Sequence, residues 1–331
     1  MIKDFDNFIS TELLYFLLES RGISDSTIEI RDNLKKDISS FINKTKNDKF
    51  FKLPMFQKSI QIIINSDSDF KIKNCVLNIK IKRYKENSCN GKVDVEHSKI
   101  INGYIENSII ELDIYFDKFD EDFIFKIYSV LLHELVHLYE HYNILLNKKF
   151  RPHYWSIGSI YKSLRDNYKN DDVLYILELL YKSLRNEIAS NLHQYYDYKK
   201  HKKTYNKLND IINDLSNFNI NNISITNDFI KELNSVRNDI YNSIKKYTIN
   251  KYYLKDLNNS LWKNDIDQNN IINFLSELKL IFDNSVDYIN KKLILITNKL
   301  NEIRYDDYKG TLHESVVIGS ERTREYEVLF F

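Results

Sequence analysis

Leu131-Leu132-His133-Glu134-Leu135-Val136-His137 is the stretch on which the reading of this chain turns. His133 and His137 stand four positions apart, so on a helix they lie one turn apart on one face and can share a metal ion. Glu134 sits beside that face, placed to touch a water on the metal rather than the metal itself. The pattern H-E-x-x-H reads as a zinc site with a glutamate general base, on two conditions. The segment must be helical, and the chain must supply a further ligand.

The flanks meet the first condition. Phe123, Ile127, Val130, Leu131, Leu135 and Leu138 recur at helical spacing, which predicts a helix of about 25 residues with the histidines near its middle. Asp117, Asp120, Glu121 and Asp122 suit its N-terminus. Upstream the pattern is that of strands. Ile62-Ile63-Ile64 is a short apolar run, and Cys75, Leu77, Ile79 and Ile81 alternate with polar neighbours. Ile110, Leu112, Ile114 and Phe116 alternate in the same way. Asn90-Gly91 carries the strongest hairpin-turn signal, and another strand is expected around Gly103.

Further out, helical periodicity covers 7–20 and 25–47, with Gly22 between them. A short helix is expected at 153–168, and a longer one from the acidic cap Asp171-Asp172 to about Tyr198. A dense run of Asn from 206 to 227 separates these from helices at 228–246 and 268–303; the tail from Thr311 reads as strands. Nearly heptad spacing from Ile271 to Ile303 fits a core stripe in a bundle. The fold class expected is α+β: an antiparallel sheet, then a metal-binding helix, then a mainly helical C-terminal region. Three parts are expected, at 1–50, 51–203 and 204–331.

Bulk composition narrows the functions. The chain has 331 residues, 43% of them hydrophobic, enough to build a substantial core. Its 48 basic and 47 acidic residues leave a net charge of +1, without the basic stripe of a nucleic-acid binder. The densest basic cluster, Lys199-Lys200-His201-Lys202-Lys203, reads as a solvated helix end. Two cysteines, Cys75 and Cys89, make no disulfide framework. Neither a basic-then-apolar leader nor an eighteen-residue apolar run occurs, so a cytoplasmic protein without a membrane span is expected, with a virion or non-classical export as the other settings. The skew toward Asn, Lys, Ile and Tyr, with one alanine, reflects the coding bias of an AT-rich genome.

The second condition is the third ligand, a fourth position being left to water. His141 fails on geometry. Residues 133, 137 and 141 span about 12 Å along a straight helix, too far for three bonds of about 2 Å to one ion. The extended pattern H-E-x-x-H-x-x-G-x-x-H fails as well, because Glu140 and Asn143 stand at its Gly and third His positions. A carboxylate from another helix remains. Glu187 is the best candidate, since it lies on an apolar stripe with Leu180, Leu184 and Asn191, where an unpaired carboxylate should not be. Ala189, the single alanine, and Ser190 follow it, two small side chains that let its helix approach the His133–His137 helix.

His133-Glu134-Leu135-Val136-His137 followed by Glu187-Ile188-Ala189-Ser190 resembles the zincin metallopeptidases, and within them the gluzincins. The resemblance covers roughly 107–195. It implies His133, His137 and Glu187 as ligands to one Zn2+ per chain, with Glu134 as catalytic base. It also implies hydrolysis of a peptide or protein substrate. In that family the second motif often carries Asp where Asn191 stands, which leaves open the residue that supports a zinc histidine. The family's edge strand lines the cleft, a role the strand at 109–116 fits by analogy. His153, Tyr154, His193, Tyr195 and His313 are candidates for oxyanion stabilisation. Two other readings compete. One is a zincin-like structural or virion assembly protein without peptidase activity, its C-terminal helices serving a protein partner. The other takes Glu325-Tyr326-Glu327 as an ADP-ribosyltransferase E-x-E, but no Ser-Thr-Ser segment accompanies it.

Overall fold

The structure, a computed structural model, describes residues 26–95, 97–146, 167–247 and 264–317. The helix expected at 7–20, most of that expected at 153–168, and the Glu325–Glu327 segment lie outside the described residues.

The sheet forms around β2 (Lys71–Arg83), where Cys75, Leu77, Ile79 and Ile81 are buried and the residues between them are not. That is the period of two expected of a strand with one face on a core. β1 (Gln57–Asp67) runs antiparallel along it, with a register shift between Ile64 and Ser66. Opposite that shift Asn74 adopts φ 54°, a left-handed conformation that Asn tolerates, and its N–H donates to Asn65 Oδ1 at 2.9 Å.

Beyond β2 the topology departs from the antiparallel expectation. β6 (Ile109–Phe116) pairs with β2 in parallel, from Val76↔Ile109 to Arg83↔Phe116. β3 (Ser88–Asp94) pairs antiparallel with β6 on its other side. The chain therefore leaves β2, lays down β3, and returns to insert β6 between them. A parallel pair needs a long connection, and residues 84–108 supply it without a helix. Two corrections follow. The sheet is mixed, and β6 is interior, so the edge role foreseen for 109–116 falls to β3, which has no second neighbouring strand among the described residues.

The two Asn-Gly pairs behave differently. Asn90-Gly91 lies inside β3 and makes no turn. Asn102-Gly103 joins β4 (Lys99–Ile101) to β5 (Tyr104–Glu106) in a two-residue hairpin, with φ of 51° and 84°. Those angles are the positive values a type I′ turn requires.

One face of the sheet is covered by α1 (26–46) and α2 (Glu121–Leu146). From α1, Ile30, Leu34, Ile38, Phe41 and Ile42 enter the same core as the sheet's inward residues. α2 starts where Asp120 Oδ1 accepts from Phe123 N–H at 2.7 Å, with Glu121 and Asp122 in its positive first turn.

The long helix expected from Asp171 to Tyr198 is two. α3 (Asp171–Ser183) begins on Asn170, which accepts from the amides of Asp172 and Val173, and stops at Leu184, whose φ −62° and ψ 134° are extended. α4 (Arg185–Lys200) starts at once on a new axis. The Asn-rich run is not bare linker, for it folds into α5 (Lys207–Ser216) and a 3-10 turn at Ile220–Asn222. α6 (Asn227–Tyr247) and α7 (Ile271–Val317) complete the helical layer, so Val316-Val317 is helical where a strand was expected. Leu177, Leu180, Ile211, Leu233, Leu275, Leu278 and Phe282 share one buried cluster there. No helix among the described residues is long and apolar enough to cross a membrane.

Candidate metal centre

α2 is buried along two stripes. Leu131, Leu135 and Leu138 face the sheet, whereas Leu132 and Val136 pack with Ile28 of α1, Tyr196 of α4 and Leu300 of α7. Between these stripes the helix presents His133 and His137 to α4. The close approach foreseen at the small residues is present: Ala189 and Ser190 are fully buried, and Ser190 Oγ lies 3.3 Å from His137 Nδ1.

The break at Leu184 matters for the site, because it puts Glu187 in the first turn of α4 rather than mid-helix. Its carboxylate faces both histidines, Oε2 at 3.6 Å from His133 Nε2 and Oε1 at 3.5 Å from His137 Nε2. The two Nε2 atoms are 3.1 Å apart. His133, His137 and Glu187 thus form a group able to hold a metal ion. The spacing suits one: ligands at 2.0–2.2 Å around a tetrahedral ion stand about 3.3–3.6 Å from one another. His141, one turn further along α2, is not part of this group, in agreement with the helix-length argument.

Charge around the group points the same way. Burial opposes ionisation of Glu187, but hydrogen bonding with His133 and the fields of His137 and His133 prevail and hold its pKa near 2. Burial likewise opposes protonation of His137. The hydrogen bond with Glu140, one turn on, and the charges of Glu187 and Glu134 outweigh it and raise its pKa to about 9. Burial raises Glu140 against the pull of His137, and lowers His141 to about 4, so that ring is neutral. Three carboxylates crowd two imidazoles at a buried place, an arrangement that favours a cation among them.

Glu134 is 7% exposed and lies against β3. A Cβ on Gly91 would stand 2.5 Å from Glu134 Cγ and Oε1, so glycine is what admits this carboxylate beside the edge strand. Two residues along, burial pushes the Cys89 thiol up to about 12, so it remains a neutral thiol.

Of the residues proposed for oxyanion stabilisation, His193 and Tyr195 lie on α4, outside the ligand group. His193 Nδ1 is 2.7 Å from the carbonyl of Ala189 on its own helix, and Tyr195 packs on the helical cluster. His153, Tyr154 and the side chain of His313 lie outside what is described. Three residues that sequence reasoning passed over do belong: Glu140, Gln194 and Gly91. Glu140 is three positions after His137 and Gln194 seven after Glu187, so helical spacing held the signal for both. Gly91 had none, since it depends on which strand meets α2.

No family model, curated protein or solved structure matches this chain.

Proposed function

We propose that the chain is a zinc-dependent peptidase, with His133, His137 and Glu187 holding the ion and Glu134 as general base. The observation that carries this reading is the convergence of two Nε2 atoms and one carboxylate at ligand spacing, with a second, non-ligating carboxylate alongside. When bound, zinc would acidify a water and polarise the scissile carbonyl. Glu134 is the residue to take the proton from the attacking water and deliver it to the leaving amine. Its seat against Gly91 brings it to the edge strand β3, whose unpaired side would take an extended peptide as an added strand. A purely structural zinc site has no use for a base, which favours the peptidase over an assembly protein.

Metal analysis and a peptide-hydrolysis assay on the purified protein test the proposal. We expect about one zinc per chain, hydrolysis lost on chelation, and recovery when zinc is restored. A wild-type chain that takes up no zinc would overturn it. Glu187→Ala should lower zinc content sharply, and unchanged binding would place the third ligand elsewhere.

Gly91→Ala tests the contact between base and strand. The new methyl must displace Glu134, and a shift of about 1 Å in a catalytic group costs on the order of a hundredfold in rate. Zinc content should stay at the wild-type level, because Glu134 is not a ligand. Undiminished turnover would show that the base does not work from this position.

A further inference from the structure

The resemblance to gluzincins leaves open which residue supports a zinc histidine, because Asn191 stands where that family often has Asp. Asn191 is occupied elsewhere: its Nδ2 donates to the carbonyl of Glu187 at 2.6 Å, and its Oδ1 accepts from the Tyr205 hydroxyl at 2.7 Å. Gln194, one turn further along α4 and buried, reaches His133 instead, its Oε1 3.3 Å from His133 Nδ1. We propose that Gln194 is the positioning residue for His133, fixing the ring's tautomer and orientation so that Nε2 is presented to the metal; this rests on the metal reading above.

The orientation of the Gln194 amide follows from its partners. Its other end lies 2.9 Å from the carbonyl oxygen of Ser129 and 3.1 Å from Ser129 Oγ. A carbonyl oxygen only accepts, so the group facing it must be the amide NH2. Oε1 therefore faces His133. Tyr205 has one proton to share between Asn191 Oδ1 and Gln194 Oε1, both at 2.7 Å, which leaves Oε1 with capacity for a second donor. Because an amide oxygen only accepts, Nδ1 of His133 must carry its hydrogen. In the neutral ring that leaves the lone pair on Nε2, the atom facing His137 and Glu187. Ser129 sits one turn before His133 on α2, so the same side chain also ties α4 to the helix whose histidine it aims.

Zinc affinity measured by competition with a chromophoric chelator tests this, using wild type, Gln194→Leu and Gln194→Glu. Outer partners of metal histidines typically contribute 10–100-fold in affinity, and a loss of that size is expected for Gln194→Leu. Gln194→Glu keeps an acceptor toward Nδ1; its other oxygen can accept from Ser129 Oγ but loses the bond to the Ser129 carbonyl, so it should recover part of the loss. The visible spectrum of the Co2+-loaded protein should change in Gln194→Leu and return toward wild type in Gln194→Glu. A merely structural role for Gln194 would give no rescue by Glu, and that result overturns the inference. Wild-type affinity in Gln194→Leu overturns it too, while leaving the metal site standing. A wild type that binds no zinc overturns the metal reading itself.

Discussion

Glu134→Gln is expected to keep its zinc and to lose about 10²- to 10⁴-fold in peptide hydrolysis, the usual contribution of a positioned general base. The substitution is nearly isosteric, so the fit against Gly91 is preserved. It removes the carboxylate's charge, one of those that raise the pKa of His137, and it removes the base, because an amide oxygen cannot hold a proton at neutral pH. Glu134 is adjacent to His133 in sequence but is not in the ligand group, so metal content and rate should separate. Paired measurements of zinc per chain and of turnover check this. Equal turnover in both proteins would remove Glu134 from the mechanism. Loss of zinc with activity would make Glu134 part of the metal's support instead. In a chain that holds zinc but hydrolyses nothing even as wild type, the substitution would be silent, as expected of an assembly protein.

What could be read without coordinates, and what could not, divides along a physical line. Contacts within one helix were legible, because the 3.6-residue period fixes them: His133 with His137, and the capped, amphipathic course of α2. Glu187 was legible for a related reason, since a carboxylate on an apolar stripe requires a partner. The break at Leu184 was not, because neither Gly nor Pro marks it; Leu184 takes extended angles while remaining buried in the core. Nor was the order of strands. β2 and β6 alternate as expected, but alternation reports which face is buried and says nothing about which strand lies beside which. The last strand to form in sequence, β6, entered between two earlier ones. That insertion moved the sheet's edge to β3 and gave Gly91 its meaning. The turn expected at Asn90-Gly91 is absent because that pair lies within a strand bonded along its length to β6, whereas Asn102-Gly103, where a strand was expected, makes the turn between two strands.

The same helices that aim the ligands are clamped from behind by one ion pair, and breaking it should produce the largest loss of stability of any single change considered. Arg31 of α1 and Asp197 of α4 each have side chains only 1% exposed, with Nη1 and Oδ2 2.6 Å apart. Arg31 also holds Asp32 at 2.8 Å, at the surface. Near them Ile28, Leu132, Val136, Tyr196 and Leu300 join α1, α2, α4 and α7 in a small cluster. Removing one member of a buried pair costs about 3–5 kcal/mol, and without Asp197 the buried Arg31 keeps only the half-exposed Asp32 as a partner. Asp197→Ala should therefore lower the melting temperature by roughly 10 °C. Replacing both partners together, as Arg31→Met with Asp197→Leu, removes both charges and should cost much less than the single change. Thermal unfolding of the three chains with zinc removed, so that metal affinity does not enter, checks the prediction. A double variant as unstable as Asp197→Ala would mean that packing, and not the uncompensated charge, sets the loss. If instead Asp197→Ala melts with the wild type, α1 is held by its apolar face alone, and the alignment of α2 with α4 does not depend on this pair.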